Sequence, residues 1–88
     1  MTEGPVEVVL VTREGCHLCA DALEVVKRVC DEYAAPWSLR DVDATAEDRE
    51  RWSDWVPVLL VGGREVDSLR VSERRLREAL ESARAGGF

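Results

Sequence analysis

The sequence predicts a single α/β domain over 1–88 built on a four-stranded mixed sheet, and three observations carry that prediction. A near-continuous apolar run, "VEVVLV" at 6–11, is followed within a few residues by an amphipathic helical pattern and then by a second extended segment. Two more extended runs are joined by Gly62 and Gly63, and another amphipathic pattern closes the chain. Strand, helix and strand in succession imply a right-handed parallel crossover, whereas two runs joined by a glycine pair are antiparallel, so the sheet is mixed.

Taken in order, Val6 to Val11 is rich in β-branched and aliphatic residues, as suits a central strand covered on both faces. Leu18, Ala22, Val25, Val26, Val29, Cys30 and Tyr33 recur at spacings of three and four, which predicts a helix over 17–33 with one face on the sheet. Pro36 follows where that helix must already have ended. Residues 37–43, "WSLRDVD", alternate through Trp37 and Leu39 as a second strand, although Val42 breaks the period. Thr45 with Asp48 resembles a helix-capping pair, and a short helix is expected within 45–55. Val56 to Val61, "VPVLLV", is the third strand; Pro57 must stand at a strand start or at an irregular position, because it has no N–H to give to a central ladder. "REV" after the two glycines is the fourth. Ser72 can cap a last helix with Leu76, Ala79, Leu80 and Ala83 on one face, ending at Gly86 and Gly87. The order is strand-helix-strand-helix-strand-strand-helix.

Composition narrows the function. Twelve basic against eighteen acidic residues give a net charge of -6, which repels nucleic acid and anionic lipid, so neither is an expected partner. No apolar run approaches the ~20 residues that span a bilayer, and the acidic N-terminus lacks a cleavage site for export, so a cytoplasmic location is expected. Thiols stay reduced there, and a close cysteine pair is then redox-active or metal-binding rather than a permanent staple.

That pair is Cys16 and Cys19, in "GCHLC" at the junction of the first strand and first helix. Unpaired amides and the positive end of a helix dipole favour the thiolate, the reactive form of cysteine. Cys16 falls where an N-cap would and should be the more exposed sulfur. Cys19, one turn inward, is spaced to attack a mixed disulfide formed on Cys16, and a protonated His17 would favour the Cys16 thiolate further. The alternative is half of a tetrahedral zinc site, but only His17 and Cys30 remain as further ligands, and Cys30 lies roughly three turns along the same helix. Cys30 itself is expected to be a small buried hydrophobe.

"VVLVTREGCHLCADAL", "DVDA", "WVPVLLVGGREV" and the terminal amphipathic helix together resemble the small bacterial glutaredoxin-like proteins, across essentially the whole chain. The resemblance implies a thioredoxin-like three-layer α/β/α sandwich and a thiol-disulfide oxidoreductase. Cys16 would be the attacking cysteine and Cys19 the resolving one. Pro57 would be the cis-proline facing the sulfurs, with the Val56 backbone pairing to an extended substrate as an added strand. Arg13 resembles the basic residue that glutaredoxins carry before the motif, where it steadies a thiolate or a carboxylate. No tightly bound cofactor or metal is implied. The expected partners are a disulfide-containing protein or small thiol as substrate and a reductase or glutathione as electron donor, with the chain a monomer.

Two segments depart from glutaredoxins. Cys-His-Leu-Cys stands in place of Cys-Pro-Tyr-Cys, and "VDSLRVSER" stands where a Gly-Gly-x-Asp segment would hold glutathione. Asp67 and Ser68 are the candidates there, against a plainer role as solvated loop residues. Two further functions stay open: a non-catalytic binding or adaptor module using the groove beside Pro57, and an iron-sulfur or metal carrier in which two chains each donate Cys16. Trp52 and Trp55 either flank that groove or pack the short helix on the sheet. The acidic middle of the chain is a solvated face or selects a basic partner. Arg70, Arg74, Arg75 and Arg77 should pair with Glu73, Glu78 and Glu81 at helical spacings.

Overall fold

A computed structural model describes residues 6–84. Its elements run β1 (Val8–Thr12), α1 (His17–Tyr33), β2 (Trp37–Asp41), α2 (Ala46–Trp52), β3 (Val58–Val61), β4 (Arg64–Ser68) and α3 (Glu73–Arg84). The order matches the sequence prediction, and the boundaries of α1 coincide with it. The expected end of the last helix at Gly86 and Gly87 lies outside the described residues.

The sheet has the order β2-β1-β3-β4, with β1 parallel to β2 and antiparallel to β3, and with β3 and β4 forming the hairpin. Gly62 and Gly63 have φ of 59° and 84°, the positive values that a two-residue hairpin turn demands. Because side chains alternate across a sheet, Val8, Leu10, Leu59 and Val61 point to one face, and Val11, Val58 and Leu60 to the other. The first face packs on Ala22, Val26, Val29 and Cys30 of α1 and on Leu76, Ala79 and Leu80 of α3. The second packs on Trp52 of α2 and on Val42. The result is a three-layer α/β/α sandwich with β1 and β3 at its centre.

Local chemistry ends the helices. The αL residue Ala34 closes α1, its amide donating to Asp31 and Cys30 carbonyls. Thr45 caps α2 through Oγ1, which accepts from the Asp48 amide at 3.0 Å, so the capping pair read in the sequence is formed. Ser72 Oγ accepts from the Arg75 amide and caps α3 in the same way. Trp52 is buried and donates Nε1–H to Glu65, while Arg40 and Arg51 lie over its ring; Trp55 is exposed. Cys30 is buried in the core, as expected.

Five details differ from the sequence reading. β3 begins at Val58, after Pro57, rather than at Val56. β2 ends at Asp41 rather than at 43, and all five of its residues are exposed because it is an edge strand. Val42, which broke the period, is a fully buried turn residue under α2. Asp67 is a half-buried β4 residue rather than a solvated loop residue, its two oxygens accepting from the Ser68 and Ser72 amides. On α3, Arg77 pairs with Glu73 and Arg74 with Glu78, but Glu81 accepts from Tyr33 of α1, and Arg77 also holds Glu32. Those α1–α3 contacts could not be read from helical spacing.

Candidate active site

The C-terminal ends of β1 and β2 and the N-terminal end of β3 meet at one edge of the sandwich, and the loop carrying the cysteines leaves β1 there. Gly15, with φ of 79°, turns that loop into α1. Cys16 is the N-cap of α1, with extended φ and ψ of -91° and 116°, and its Sγ accepts from the Cys19 amide at 3.1 Å. A sulfur thus fills the place that a Ser, Thr or Asp oxygen normally takes, so negative charge on Sγ would be met by the positive end of the helix.

The two cysteines are both free thiols in different surroundings. Cys16 is half-buried, while Cys19 is 5% exposed. Burial, reinforced by the hydrogen bond with Cys16, pushes the Cys19 thiol up to about 11, against the opposing pull of the Arg13 backbone amide. Cys19 therefore keeps its proton near neutral pH. His17, the first residue of α1, is exposed beside Cys16.

Arg13 is engaged with a carboxylate rather than with a sulfur. Its Nε–H and one terminal N–H donate to the two Asp43 oxygens at 2.9 and 3.1 Å, and its terminal groups also donate to Ser53 O at 3.2 Å and Ser53 Oγ at 2.7 Å. This fork holds the Asp43 carboxyl below its ordinary range and raises the Arg13 guanidinium. It also ties the cysteine loop to the turn after β2 and to the segment leading into Pro57. Asp43 and Ser53 were not identifiable as its partners from sequence, since they lie thirty and forty residues away.

The Val56-Pro57 peptide is cis, and Pro57 is buried. Val11 pairs with Val58, so extending the register by one residue sets Pro57 opposite Thr12, where the cysteine loop begins. The amide of Leu69, itself at φ 67°, donates to the carbonyls of Trp55 and Pro57 on either side of Val56.

An open cleft of about 400 Å³ adjoins Cys16, walled by Gly15, Ala20, Leu23 and Leu39. Leu39 belongs to the edge strand and is 51% exposed, so the alternation that put it in a strand did not show its place at the site. Among the described residues, no group of three or more His, Cys, Asp or Glu is placed to hold a metal ion.

A Cys-x-x-Cys at the start of the helix that follows a central strand, with a cis-proline immediately before the antiparallel strand β3 beside it, defines a thioredoxin-fold protein with a redox-type site. The solved structures agree on the fold: the reduced thioredoxin pre-protein of Schistosoma mansoni superposes with a TM-score of 0.67 at 18% identity, over 89% of this chain and 78% of that one. The structural-genomics target XcR50 of X. campestris gives a TM-score of 0.71 at 29% identity, over 85% and 96%. This chain belongs to the glutaredoxin-like domain family DUF836, whose model matches residues 7–81. The uncharacterized protein Rv0508 of Mycobacterium tuberculosis is 34% identical over 76 residues, covering 81% of this chain and 78% of that protein.

Proposed function

We propose that the protein is a thiol-disulfide oxidoreductase that cycles Cys16 and Cys19 between dithiol and disulfide. The observation that carries this is the Cys16 sulfur capping α1 beside a resolving thiol held protonated by burial. In the reductive direction the Cys16 thiolate attacks one sulfur of a substrate disulfide, forming a mixed disulfide and releasing the other sulfur as a thiolate. Cys19 then loses its proton, attacks Cys16 Sγ, and releases the second substrate thiol as the Cys16–Cys19 disulfide closes. Two electrons pass from the pair to the substrate, and a reducing thiol or a dithiol reductase restores them.

Val56 and Pro57 are proposed to receive the backbone of an extended substrate, a role supported by the anchoring of both carbonyls that flank Val56. Arg13 is proposed as a positioning residue that holds the cysteine loop against this segment through Asp43 and Ser53. A reducing compartment such as the cytoplasm suits the cycle; among the described residues no helix is long and apolar enough to cross a membrane. Glutathione as the donor has weaker support, because Asp67 is spent on the Ser68 and Ser72 amides.

The test is trapping. A Cys19→Ser variant mixed with bis(2-hydroxyethyl) disulfide should carry one mercaptoethanol adduct on Cys16 by peptide mass spectrometry, and Cys16→Ser should carry none. A Cys19→Ser protein that stays unmodified at Cys16 would refute the function.

A further inference from the structure

The cleft beside Cys16 identifies what kind of disulfide the site accepts. It lies between α1 and the edge strand β2, and Leu39 registers with Leu10, whose side chain faces α1, so Leu39 and Leu23 stand on the same side of the sheet. Ala20 and Gly15 complete an apolar wall that runs directly to the Cys16 sulfur. The outer edge of β2 is unpaired within the described sheet, and Trp37, also exposed, continues the apolar strip along the strand. Arg13 is the one permanently charged side chain lining the cleft, beside the exposed imidazole of His17, and four of its five N–H donors are already given to Asp43 and Ser53. A carboxylate would therefore find a single remaining guanidinium N–H and no ammonium in this cleft, the Arg13 charge being already paired with Asp43, and the chain's charge of -6 opposes anions generally.

We propose that this cleft binds an uncharged, extended peptide segment of a disulfide-bonded protein, seating the bulky aliphatic side chain next to its half-cystine between Leu23 and Leu39. The proposal rests on the oxidoreductase function and adds its substrate class. The occupant must bring its disulfide to Cys16, which the continuity of the cleft with that sulfur requires. It must also lack carboxylates beside the disulfide, which disfavours oxidised glutathione. The covalent steps are those of the cycle above, with the peptide disulfide reduced to two thiols as Cys16 and Cys19 are oxidised.

Three disulfides separate this from the general function: bis(2-hydroxyethyl) disulfide, the cystine dimer of N-acetyl-Leu-Cys-Leu-amide, and that of N-acetyl-Asp-Cys-Asp-amide. Single-turnover oxidation of the reduced protein is followed by acid quench and mass spectrometry. Each rate is divided by the rate of free dithiothreitol with the same disulfide, which removes intrinsic differences between the sulfurs. The leucine peptide should react at least about tenfold faster than the aspartate peptide, as burial of part of an aliphatic side chain implies. Leu39→Asn should abolish that preference and Leu39→Ala should reduce it, each read as the ratio of the two peptide rates. A preference that survives both substitutions, or equal rates for the two peptides with the intact protein, would overturn the groove while leaving the oxidoreductase intact. No reaction with any of the three would overturn the oxidoreductase itself, and the groove with it.

Discussion

Cys16 and Cys19 are three residues apart and chemically unlike, because one sulfur caps a helix and the other is buried beneath it. This predicts an order of reactivity. Limited treatment of the native dithiol with iodoacetamide near neutral pH should label Cys16 first, with Cys19 and Cys30 protected by burial, both thiols being pushed up to about 11. Peptide mapping reads the order directly, and equal labelling of Cys16 and Cys19 would contradict it. The position of Cys16 was legible in the sequence, since a cysteine between a glycine-containing loop and an amphipathic run falls at an N-cap by spacing alone. The engagement of Arg13 was not: its partners are contributed by two other loops, and only the folded sheet brings Asp43 and Ser53 to it.

Among the elements, the helix ends are set by single residues whose replacement has a calculable direction. Thr45→Ala removes the acceptor for the Asp48 amide and should lower unfolding stability by about 1 kcal/mol, with Thr45→Asp recovering most of it. Ala34→Gly relieves an L-residue held at φ 53° and should raise stability by roughly 0.5–1 kcal/mol. Urea denaturation of both variants measures these changes, and a stabilised Thr45→Ala or a destabilised Ala34→Gly would count against the capping geometry. Strand β2 marks where sequence legibility stopped. Trp37 and Leu39 alternate as core residues do, yet the pattern cannot tell a covered face from an edge strand left partly open by the helix above it. The same ambiguity hid the apolar cleft. In β1 and β3, by contrast, unbroken apolar runs meant burial on both faces, and the structure has them so.

For the whole molecule, the two buried thiols link stability to pH. Their folded pKa values lie above the unfolded value, so the native state retains protons that the unfolded chain loses. The resulting stabilisation is fully present below the ordinary thiol value of about 9 and is lost as pH rises toward about 11. Unfolding free energies from urea titrations should therefore hold steady from neutral pH to the ordinary thiol value and fall beyond it, by roughly 2 kcal/mol for each thiol. Cys30→Ala should be less stable throughout but should lose about half of that alkaline decline. A decline of undiminished size in Cys30→Ala would show that other groups cause it.

The three-layer arrangement was legible as an order of elements with one parallel crossover and one hairpin. Which helix covers which face, and which loops converge on the cysteines, required the fold. Whether Cys16 and Cys19 form a reversible redox pair is decided by equilibrating the full chain in graded mixtures of reduced and oxidised dithiothreitol. Acid quenching, alkylation under denaturing conditions and peptide mass spectrometry then count the thiols at each ratio. One two-electron transition is expected, in which Cys16 and Cys19 become linked together while Cys30 remains alkylatable at every ratio. A pair that stays reduced at every ratio, or a disulfide that includes Cys30, would contradict it.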